Sequence, residues 1–403
     1  MAPRKRFLGK SVLDAARERI AWTFDNFSRV YVSFSAGKDS TVMLHLVADE
    51  ARQRGRRIGL LFIDWEAQFN LTVKHATRCF DLYGDLIEPY WCAVPLKTTN
   101  ACSMMEPEWI CWERGKEELW VREKPSHAVT EDSFPFYSYP MTFEEFTPAF
   151  GRWYSQGELT AAFVGIRSRE SLNRWRTIAG HGGKFEGRNW TNWLGQTLYN
   201  VYPIYDWHEE DIWTFHGKNL DKPHNELYDR MHQAGLSLSQ MRICEPYGDE
   251  QRKGLWLYQI IEPETWTKVC ARVAGANTGA LYANDSGNVM GNIKIALPPG
   301  HTWKSFAEFL LNSMPPATAD HYRDKIAVWL NWYRNNQGLT EIPDERPGDT
   351  GPKDMASWRR VCKTLLKNDY WCKTICFSPT KGTAYEKYKK IMRKRRAAWG
   401  IYS

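Results

Sequence analysis

A short polar loop joins an apolar run to a helical pattern near the start of the chain. Residues 31–34 are followed by Ser35, Ala36, Gly37, Lys38, Asp39 and Ser40, and apolar side chains then recur at helical spacing. Such a junction can bind an anion, because amide N–H groups and the positive end of the helix dipole face the loop. Lys38 adds a cation, and Asp39 can face a divalent ion that arrives with polyphosphate. The loop therefore predicts phosphate binding, although an ordinary tight turn would show the same small residues.

A second chemically informative segment covers residues 165–176 and follows the small apolar run 161–166. Its arginines are Arg167, Arg169, Arg174 and Arg176. Ligands of doubly wound sheets bind at the carboxyl ends of strands, and guanidinium forks match phosphate or sulfate. The first three arginines are therefore candidate anion ligands, and Glu170 can orient an arginine or help to hold a metal ion. A salt-bridged helix start is the alternative, and Arg176 can point to solvent.

The elements that must position both segments alternate between strand and helix. Apolar runs predict strands at 29–34, 58–63, 86–94, 161–166 and 199–205. Amphipathic patterns predict helices at 11–27, 39–53, 69–83 and 206–219. Because residues 58–63 are apolar almost without a break, that strand should be covered on both faces. The alternation predicts an α/β fold with a doubly wound, mostly parallel sheet.

Three regions are predicted along the 403 residues. A nucleotide-binding domain covers 1–250 and contains an insertion at about 96–160, rich in Pro, Trp, Tyr and Glu and read as short helices. A helical domain covers 251–340, where Thr302 can cap one helix and an apolar stripe from Tyr322 to Tyr333 marks another. Residues 341–403 comprise a linker, a helix near 356–367 and a basic terminal helix from about 385.

The net charge of +7 is concentrated at the two ends of the chain. Seven basic residues lie in 387–396 and three in 4–6, so the remainder carries about −3. The basic end can bind nucleic acid or an acidic partner, or be a solvated helix face. No run is long and apolar enough to span a bilayer, and nine cysteines at irregular spacings fit reduced thiols. The expected compartment is the cytoplasm.

The two polar segments, in this order, resemble the phosphoadenosine phosphosulfate (PAPS) reductase family of the ATP pyrophosphatase superfamily. The matching pieces are the loop from Ser35 to Ser40, Ile63-Asp64, the Gly-Ile-Arg-x-x-Glu-Ser-x-x-Arg run from Gly165 to Arg174, and residues 202–213. The resemblance implies a five-stranded, mostly parallel sheet of the adenine nucleotide alpha hydrolase type. The helical C-terminal half and residues 368–372 look most like the IbrA-type branch of predicted PAPS sulfotransferases, which is similar to proteins paired with a ParB-like partner.

The resemblance also implies a site for ATP–Mg²⁺ or a sulfonucleotide. The implied nucleotide-binding residues are Ser33, Ser35, Ala36, Gly37, Lys38, Asp39, Ser40, Asp64, Arg167, Arg169, Glu170, Ser171 and Arg174. Lys38, Asp39, Arg167 and Arg174 would be the catalytic ones; Asp39 would hold Mg²⁺, and Asp64 and its neighbours would lie near the adenosine. Ala36 replaces the first glycine of the usual Ser-Gly-Gly-x-Asp-Ser loop, which is a mild departure if its φ is negative.

The cysteines set this chain apart from true reductases. It lacks the C-terminal Glu-Cys-Gly-x-His segment of sulfonucleotide reductases, so PAPS reduction is disfavoured, whereas adenylylation or pyrophosphate cleavage stays open. Two groups of cysteines could in principle hold zinc or an iron–sulfur cluster: Cys362, Cys372 and Cys376, or Cys92, Cys102 and Cys111. Neither group has the C-x-x-C pairing that marks such sites, so a metal cluster is not expected.

Three functions remain open from the residues and the resemblance. The first is an enzyme that binds ATP–Mg²⁺ and cleaves or transfers at the α–β phosphate bond. The second is a sulfur-transfer enzyme acting on nucleic acid, similar to the phosphorothioation branch of the superfamily, to which the basic terminus and abundant aromatics point. The third is a non-catalytic nucleotide sensor that acts with a ParB-like protein.

Overall fold

The computed structural model describes residues 8–103, 106, 108–180, 183–243, 247–248, 254–277, 295–314, 316–346, 356–366, 372 and 375. They form two compact units, one within Met1–Cys102 and Glu108–Ala280, the other within Ser103–Pro107 and Leu281–Ser403. The predicted basic helix from about 385 lies outside the described residues.

Strands and helices alternate through the first half of the chain. The strands are β1 Arg29–Phe34, β2 Ile58–Ile63, β3 Ile87–Cys92, β4 Leu96–Thr99, β5 Glu108–Cys111, β6 Met141–Thr142, β7 Thr160–Val164, β8 Thr191–Gly195 and β9 Leu198–Val201. The helices of the first unit are α1 Val12–Asn26, α2 Lys38–Gln53, α3 Asn70–Leu82, α4 Phe143–Ser155, α5 Leu172–Ala179, α6 Glu209–Lys218, α7 Leu227–Gln233, α8 Trp256–Ile261 and α9 Pro263–Arg272. Short 3-10 helices span Glu117–Leu119, Glu131–Ser133, Phe185–Gly187 and Leu238–Gln240.

The central sheet has the strand order β3-β2-β1-β7-β9-β8. All neighbours pair in parallel except β8, which is antiparallel to β9. The chain leaves β1 toward β2 and β3 on one side and returns to the other side of β1 at β7. The loops after β1 and β7 therefore run in opposite directions and leave a crevice between them, which is where open α/β sheets bind ligands.

Both faces of the sheet are buried, which confirms the doubly wound arrangement. On β1, Val32 packs in the core formed with α1, α2 and α3, whereas Tyr31 packs with α4 in the opposite core. Every residue of β2 is buried, as its unbroken apolar run predicted. The predicted starts and ends of β1, α2, β2 and α3 agree with the structure to within about one residue.

The insertion is more ordered than the predicted short helices. It contains a second, three-stranded sheet with the order β5-β4-β6, followed by α4. A capping box starts α4, because the Thr142 hydroxyl accepts from the Glu145 amide while the Glu145 carboxylate accepts from the Thr142 amide. Helix α4 then covers the sheet face opposite α2, so the insertion supplies one wall of the fold.

The second unit is helical in its described residues, as the sequence predicts. Its helices are α10 Trp303–Ser313, α11 Pro316–Gln337 and α12 Trp358–Leu366. Thr302 caps α10 by accepting from the Ser305 amide, and the apolar stripe of α11 is buried from Tyr322 to Tyr333. Helices α8 and α9, which the sequence assigned to the helical region 251–340, belong to the first unit.

Three buried histidines, one on α2 and two packed against it, should make folding sensitive to acid. Burial lowers the pKa of His45 and of His75 to about 3, and that of His216 to about 4. In an unfolded chain they would titrate near 6.5. Unfolding therefore takes up protons below that pH, so the free energy of unfolding falls as the pH drops through 6.5, by up to ~1.4 kcal/mol per pH unit for each histidine.

The contribution of one histidine can be isolated by substitution. His75→Gln should make the loss of stability between pH 6.5 and 5 shallower by about 1 kcal/mol per pH unit on average, because one proton-binding group of the unfolded chain is gone. Urea unfolding at several pH values measures the slope. His232→Gln, at an exposed histidine, is the matched control and should leave the slope unchanged. Equal slopes for wild type and His75→Gln would contradict the assignment.

Candidate functional site

The loop between β1 and α2 is closed by its own serines. The Ser35 and Ser40 hydroxyl oxygens are 3.0 Å apart, the Ser40 hydroxyl donates to the Gly37 carbonyl, and the Ser35 amide donates to the Ser40 hydroxyl. Gly37 is the N-cap of α2, and the amides of Asp39 and Ser40 have no hydrogen-bond partner among the described residues. These two open donors stand at the positive end of a long helix, which suits an anion.

Ala36 corrects one expectation drawn from the sequence. Its φ is +58°, in the left-handed region, rather than negative. An L-residue there carries about 1–2 kcal/mol of strain, which a glycine would avoid. The position is fully buried, and the Ala36 carbonyl accepts a hydrogen bond from the Asn225 side chain at 3.0 Å. Packing and this bond hold Ala36 in a backbone conformation that glycine would adopt without strain.

The segment after β7 lies directly against the phosphate loop. A Cβ placed on Gly165 would be 2.9 Å from the Ser40 Cα and 3.1 Å from its amide nitrogen. Only glycine permits this approach without displacing backbone. Two residues farther on, the Arg167 Nε donates to an Asp39 carboxylate oxygen, and the Arg167 side chain is almost fully buried. The two segments picked out by the sequence therefore converge at the crevice.

Lys38 lies in the same cluster of charges. Its ammonium donates to the Met241 carbonyl at 3.0 Å and lies 3.7 Å from Asp39 and 3.6 Å from Glu209. The Asp39 carboxylate is thus balanced by two cations before any ligand arrives. A phosphate that approaches the loop meets a site without net negative charge.

A cleft of about 450 Å³ opens at this junction. Its polar floor consists of Ser33, Ser35, Gly37, Lys38, Asp39 and Ser40. One rim carries Glu170, Arg174 and Arg242, and the remaining wall is mainly apolar, with Leu61, Ile63, Trp65, Phe143, Ile166 and Ile243. The Trp65 and Phe143 rings lie 5.7 Å apart between centroids. A polar floor beside an apolar wall suits a ligand with an anionic end and a flat, uncharged end.

Five predicted residues do not line this cleft. Besides Ala36 and Arg167, they are Asp64, Arg169 and Ser171. Ser171 is the N-cap of α5, where its hydroxyl accepts from the Arg174 amide at 3.2 Å. Arg169 is exposed at the surface. Ser171 therefore fixes the start of the helix that carries Arg174, and neither Ser171 nor Arg169 lines the cleft.

Asp64 is a buried anchor in this structure. Its carboxylate accepts from the Trp91 indole at 2.7 Å, from the Glu66 amide at 3.0 Å and from Arg122, and none of its side chain is exposed. A buried carboxylate is stable only when it is paired in this way. The neighbours Ile63 and Trp65 line the cleft instead, so the end of β2 contributes to the site through them.

Glu66 anchors the insertion by a similar network. Its carboxylate accepts from the Trp112 and Val121 amides and from the buried guanidinium of Arg272 on α9, with Nε–Oε1 at 2.9 Å. Burial raises the pKa of Glu66, and the Arg272 charge opposes that shift. Removing one partner of such a buried pair typically destabilises a protein by about 3–5 kcal/mol. Together Asp64 and Glu66 fix the insertion to the end of β2.

Tyr228 and Arg242 were not predicted from the sequence. Tyr228 on α7 lines the cleft, and its hydroxyl accepts from the Lys38 amide at 3.0 Å. Arg242 donates to the Glu170 carbonyl at 3.3 Å beside Arg174. Both come from segments about 200 residues beyond the phosphate loop, and neither belongs to a local pattern that indicates chemistry. Trp65 and Ile63 were anticipated, since the family resemblance implies that the neighbours of Asp64 lie near the adenosine.

The donor set around Asp39 fits a magnesium ion only when phosphate brings it. Among the described residues no group of three or more His, Cys, Asp or Glu side chains is placed to hold a metal ion. Magnesium in nucleotide sites is usually bound by one or two carboxylates together with phosphate oxygens and waters. Asp39 at the cleft floor, with Glu170 on the rim, meets that requirement.

The described thiols show no sign of activation. Burial raises the pKa of Cys79 to about 12 and also raises the pKa values of Cys92, Cys111, Cys270 and Cys362. A nucleophilic cysteine requires the opposite shift. Cys372 is buried as well, and Cys376 lies outside the described residues.

A larger depression, of about 660 Å³, lies elsewhere on the first unit between α3, α7 and α9. It shares no lining residue with the cleft. Its Glu262 carboxylate already accepts from the Asn70 and Leu71 amides, which satisfies the start of α3. We therefore assign the candidate site to the cleft at the ends of β1 and β7.

Comparison with known proteins identifies the family. Residues 29–101 and 116–250 match the phosphoadenosine phosphosulfate reductase domain. The chain is a member of the PAPS reductase domain family. Residues 235–343 and 338–386 match a domain of unknown function, DUF3440. The chain is also 49% identical over 396 residues to the uncharacterized protein YbdN of Escherichia coli (strain K12), which covers 97% of this chain and 96% of that protein.

Solved structures that are similar to this chain have low identities and low TM-scores. The phosphoadenylyl-sulfate (PAPS) reductase from Candida auris, a phosphate complex, is 15% identical, covers 56% of this chain and 94% of its own, and gives a TM-score of 0.31. The NMN synthetase from Francisella tularensis is 13% identical, and the match covers 72% of this chain and 100% of that chain with a TM-score of 0.30. At these scores the likeness carries no argument about the site. The family match confirms the PAPS reductase resemblance but does not reach the IbrA-type branch.

The close approach of the two segments can be tested at Gly165. Gly165→Ala should lower the free energy of unfolding by about 1–3 kcal/mol, because its methyl group would meet the Ser40 backbone. It should also weaken nucleotide binding, since the loop must shift. Thermal unfolding and calorimetric titration with ATP measure the two effects.

Gly217→Ala on α6 provides a matched control. A Cβ there meets no atom within 4 Å, so helix propensity alone should make this variant about 0.5–1 kcal/mol more stable. If Gly165→Ala were as stable as wild type and bound ATP equally well, the contact between the β7 segment and the loop would not constrain the site.

Proposed function

We propose that the protein binds an adenine nucleotide, as ATP–Mg²⁺ or a related sulfonucleotide, and cleaves or transfers at the bond between its α and β phosphates. The observation that supports this most is the convergence of the phosphate loop and the arginine segment on one cleft. Family membership favours nucleotide chemistry of this general type. Family membership does not specify the reaction or the acceptor, and these are what we propose.

The anionic end of the ligand is assigned to the cleft floor. The open amides of Asp39 and Ser40, the ammonium of Lys38 and the guanidinium of Arg174 border the same space. Arg174 is half exposed and 3.9 Å from Glu170, so this weak contact leaves it able to turn toward a ligand. Charge-assisted bonds from these groups would hold a polyphosphate in a defined orientation.

The base is assigned to the apolar wall. Leu61, Ile63, Trp65 and Phe143 lie away from the cations, where a flat heterocycle can replace water. A nucleotide placed in this way would extend from the end of β1 toward the end of β2. That orientation agrees with ligand binding along the carboxyl edge of an α/β sheet.

The same groups can assist bond cleavage. When the α–β bond breaks, negative charge grows on the leaving pyrophosphate, and Lys38, Arg174 and the helix amides are placed to stabilise it. Magnesium bound by Asp39 and the phosphates would supply further charge neutralisation. The buried Arg167 holds the Asp39 carboxylate in position, so it would act by orienting Asp39 rather than by contacting the phosphates.

Reduction of a sulfonucleotide is not proposed. It requires a reactive thiol, and every described cysteine with a resolved shift has a raised pKa. The sequence also lacks the terminal nucleophile segment of the reductases. Transfer or hydrolysis at phosphorus needs no thiol and therefore fits the residues better.

The proposal predicts ATP binding and pyrophosphate release that depend on two residues. Asp39→Asn should abolish pyrophosphate release while preserving the fold, because the amide can still accept from Arg167. Arg174→Ala should weaken ATP binding roughly 5- to 30-fold, through loss of one charge-assisted interaction. Calorimetric titration and a pyrophosphate release assay with Mg²⁺ measure these effects.

Arg52→Ala is the control, since this exposed arginine lies at the far end of α2 and should leave both readouts unchanged. Absence of any adenine nucleotide binding would overturn the proposal. Binding without turnover, which then appeared only with a ParB-like protein, would favour the sensor function. The IbrA-type assignment and that partner remain predictions of the sequence.

A second candidate, action on nucleic acid, is favoured by the surface of α5. Leu172 is 61% exposed and Trp175 46%, and the exposed Arg169 and Arg176 have no ion pair among the described residues. Arginines beside an exposed indole suit a single strand, because they pair with phosphates while bases stack on the ring. This surface begins next to Arg174 at the cleft rim.

The nucleic-acid function predicts salt-dependent binding of a labelled single-stranded oligonucleotide. Trp175→Ala should weaken it several-fold through lost stacking, and Arg176→Ala should reduce the salt dependence by about one phosphate contact. Fluorescence anisotropy at several salt concentrations measures both. If the oligonucleotide did not bind at low salt, or bound both variants like wild type, α5 would not be a nucleic-acid surface.

A further inference from the structure

One donor of the phosphate loop is already used by the protein itself. The amide of Lys38, the first residue of α2, donates to the Tyr228 hydroxyl at 3.0 Å. The same hydroxyl oxygen would be 3.5 Å from a Cβ on Gly37, so it lies over the Gly37–Lys38 peptide. This tyrosine therefore occupies a position where a phosphate oxygen could meet the helix N-terminus.

The ammonium of Lys38 is engaged as well. It donates to the Met241 carbonyl at 3.0 Å, lies 3.6 Å from the Glu209 carboxylate and lies 5.4 Å from the centre of the Tyr228 ring. Lys38 is 6% exposed, so these contacts form in a region that is largely shielded from water. Both donor groups of Lys38 are thus satisfied by protein atoms.

The segment that holds Lys38 also reaches the opposite rim of the cleft. Met241 supplies the carbonyl, the next residue Arg242 donates to the Glu170 carbonyl at 3.3 Å, and Ile243 lines the apolar wall. Residues 241–243 therefore connect the phosphate loop to the arginine segment.

Neighbouring residues fix the position of Tyr228 and therefore of its hydroxyl. Asn225, just before α7, donates to the Ala36 carbonyl at 3.0 Å and accepts from the Leu227 amide. The Tyr228 ring packs edge-on against Trp213, with centroids 5.5 Å apart. The backbone of α7 is thus fixed to the loop, and the Lys38 amide becomes available when its hydrogen bond to the Tyr228 hydroxyl breaks.

We propose that Tyr228 is an internal competitor for the phosphate site. Polyphosphate binding displaces its hydroxyl from the Lys38 amide and draws the Lys38 ammonium from Met241, which couples occupancy of the loop to release of residues 241–243. The exchange at the amide is favourable, because a charge-assisted hydrogen bond to phosphate is about twice as strong as the neutral amide–hydroxyl bond that it replaces. This inference rests on the proposed function, since it assigns a means of regulation to the same site.

If Tyr228 competes with phosphate, removing its hydroxyl should tighten phosphate binding. If the hydroxyl were instead a ligand of the phosphate, the same change should weaken binding. Tyr228→Phe removes the hydroxyl and keeps the ring, so the Lys38 amide becomes available. Binding of inorganic pyrophosphate should then tighten about three- to tenfold, which corresponds to one hydrogen bond no longer lost. Glu209→Gln, which loosens the hold on the Lys38 ammonium, should tighten binding in the same direction.

Tyr83→Phe is the matched control. Its buried hydroxyl also bonds to α2, through His45 Nδ1 at 2.6 Å, but it does not touch the loop. Pyrophosphate affinity of this variant should equal that of wild type. Calorimetric titration of the full-length protein with inorganic pyrophosphate and with ATP, together with circular dichroism to verify folding, provides the readout.

The outcomes separate this inference from the proposed function. Tighter pyrophosphate binding by Tyr228→Phe and Glu209→Gln, with Tyr83→Phe unchanged, supports the competition. If wild type binds and Tyr228→Phe binds more weakly or equally, the hydroxyl is a ligand or a bystander, and the inference is overturned while nucleotide binding stands. If neither wild type nor the two variants binds pyrophosphate or ATP, both proposals fall.

Discussion

The site depends on the contact between the ends of two neighbouring strands, β1 and β7. Gly165 brings the backbone after β7 against the first turn of α2, and Arg167 then reaches Asp39. The ion pair is largely buried, with only 6% of the Arg167 side chain and 16% of the Asp39 side chain exposed. This constraint sets the distance between the phosphate loop and Arg174, and the other walls of the cleft are arranged around it.

Two carboxylates after β2 connect the insertion and α9 to the end of the central sheet. Asp64 and Glu66 are fully buried and hold Arg122, Trp112 and Arg272 of segments far apart in the chain. Their hydrogen bonds fix the insertion at the end of the sheet, and Trp65 between them faces the cleft. Asp64, which the family resemblance implied to lie near the ligand, thus acts mainly as a structural support together with Glu66, and the residue between them lines the cleft.

The sequence predicted the elements and the convergence well, because both arise from local patterns. Apolar runs, a serine cap and a glycine–lysine loop each specify their own backbone, and parallel strands place their carboxyl ends along one edge. It could not predict the positive φ of Ala36, which burial and Asn225 maintain. Tyr228 and Arg242 were missed for a similar reason, since only tertiary folding brings α7 and residues 241–243 to the loop. The small sheet of the insertion was not predicted, because the Pro- and Trp-rich composition of this segment shows no clear strand pattern.

If the loop amides and Arg174 bind the same polyanion, a crystal structure of the full-length protein with Mg²⁺ and a non-hydrolysable ATP analogue will show both in contact with it. Phosphate oxygens should lie within about 3.2 Å of the Asp39 and Ser40 amides and of the Arg174 guanidinium. Phosphates bound in the depression between α3, α7 and α9, or at the loop with Arg174 turned away to solvent, would contradict this prediction.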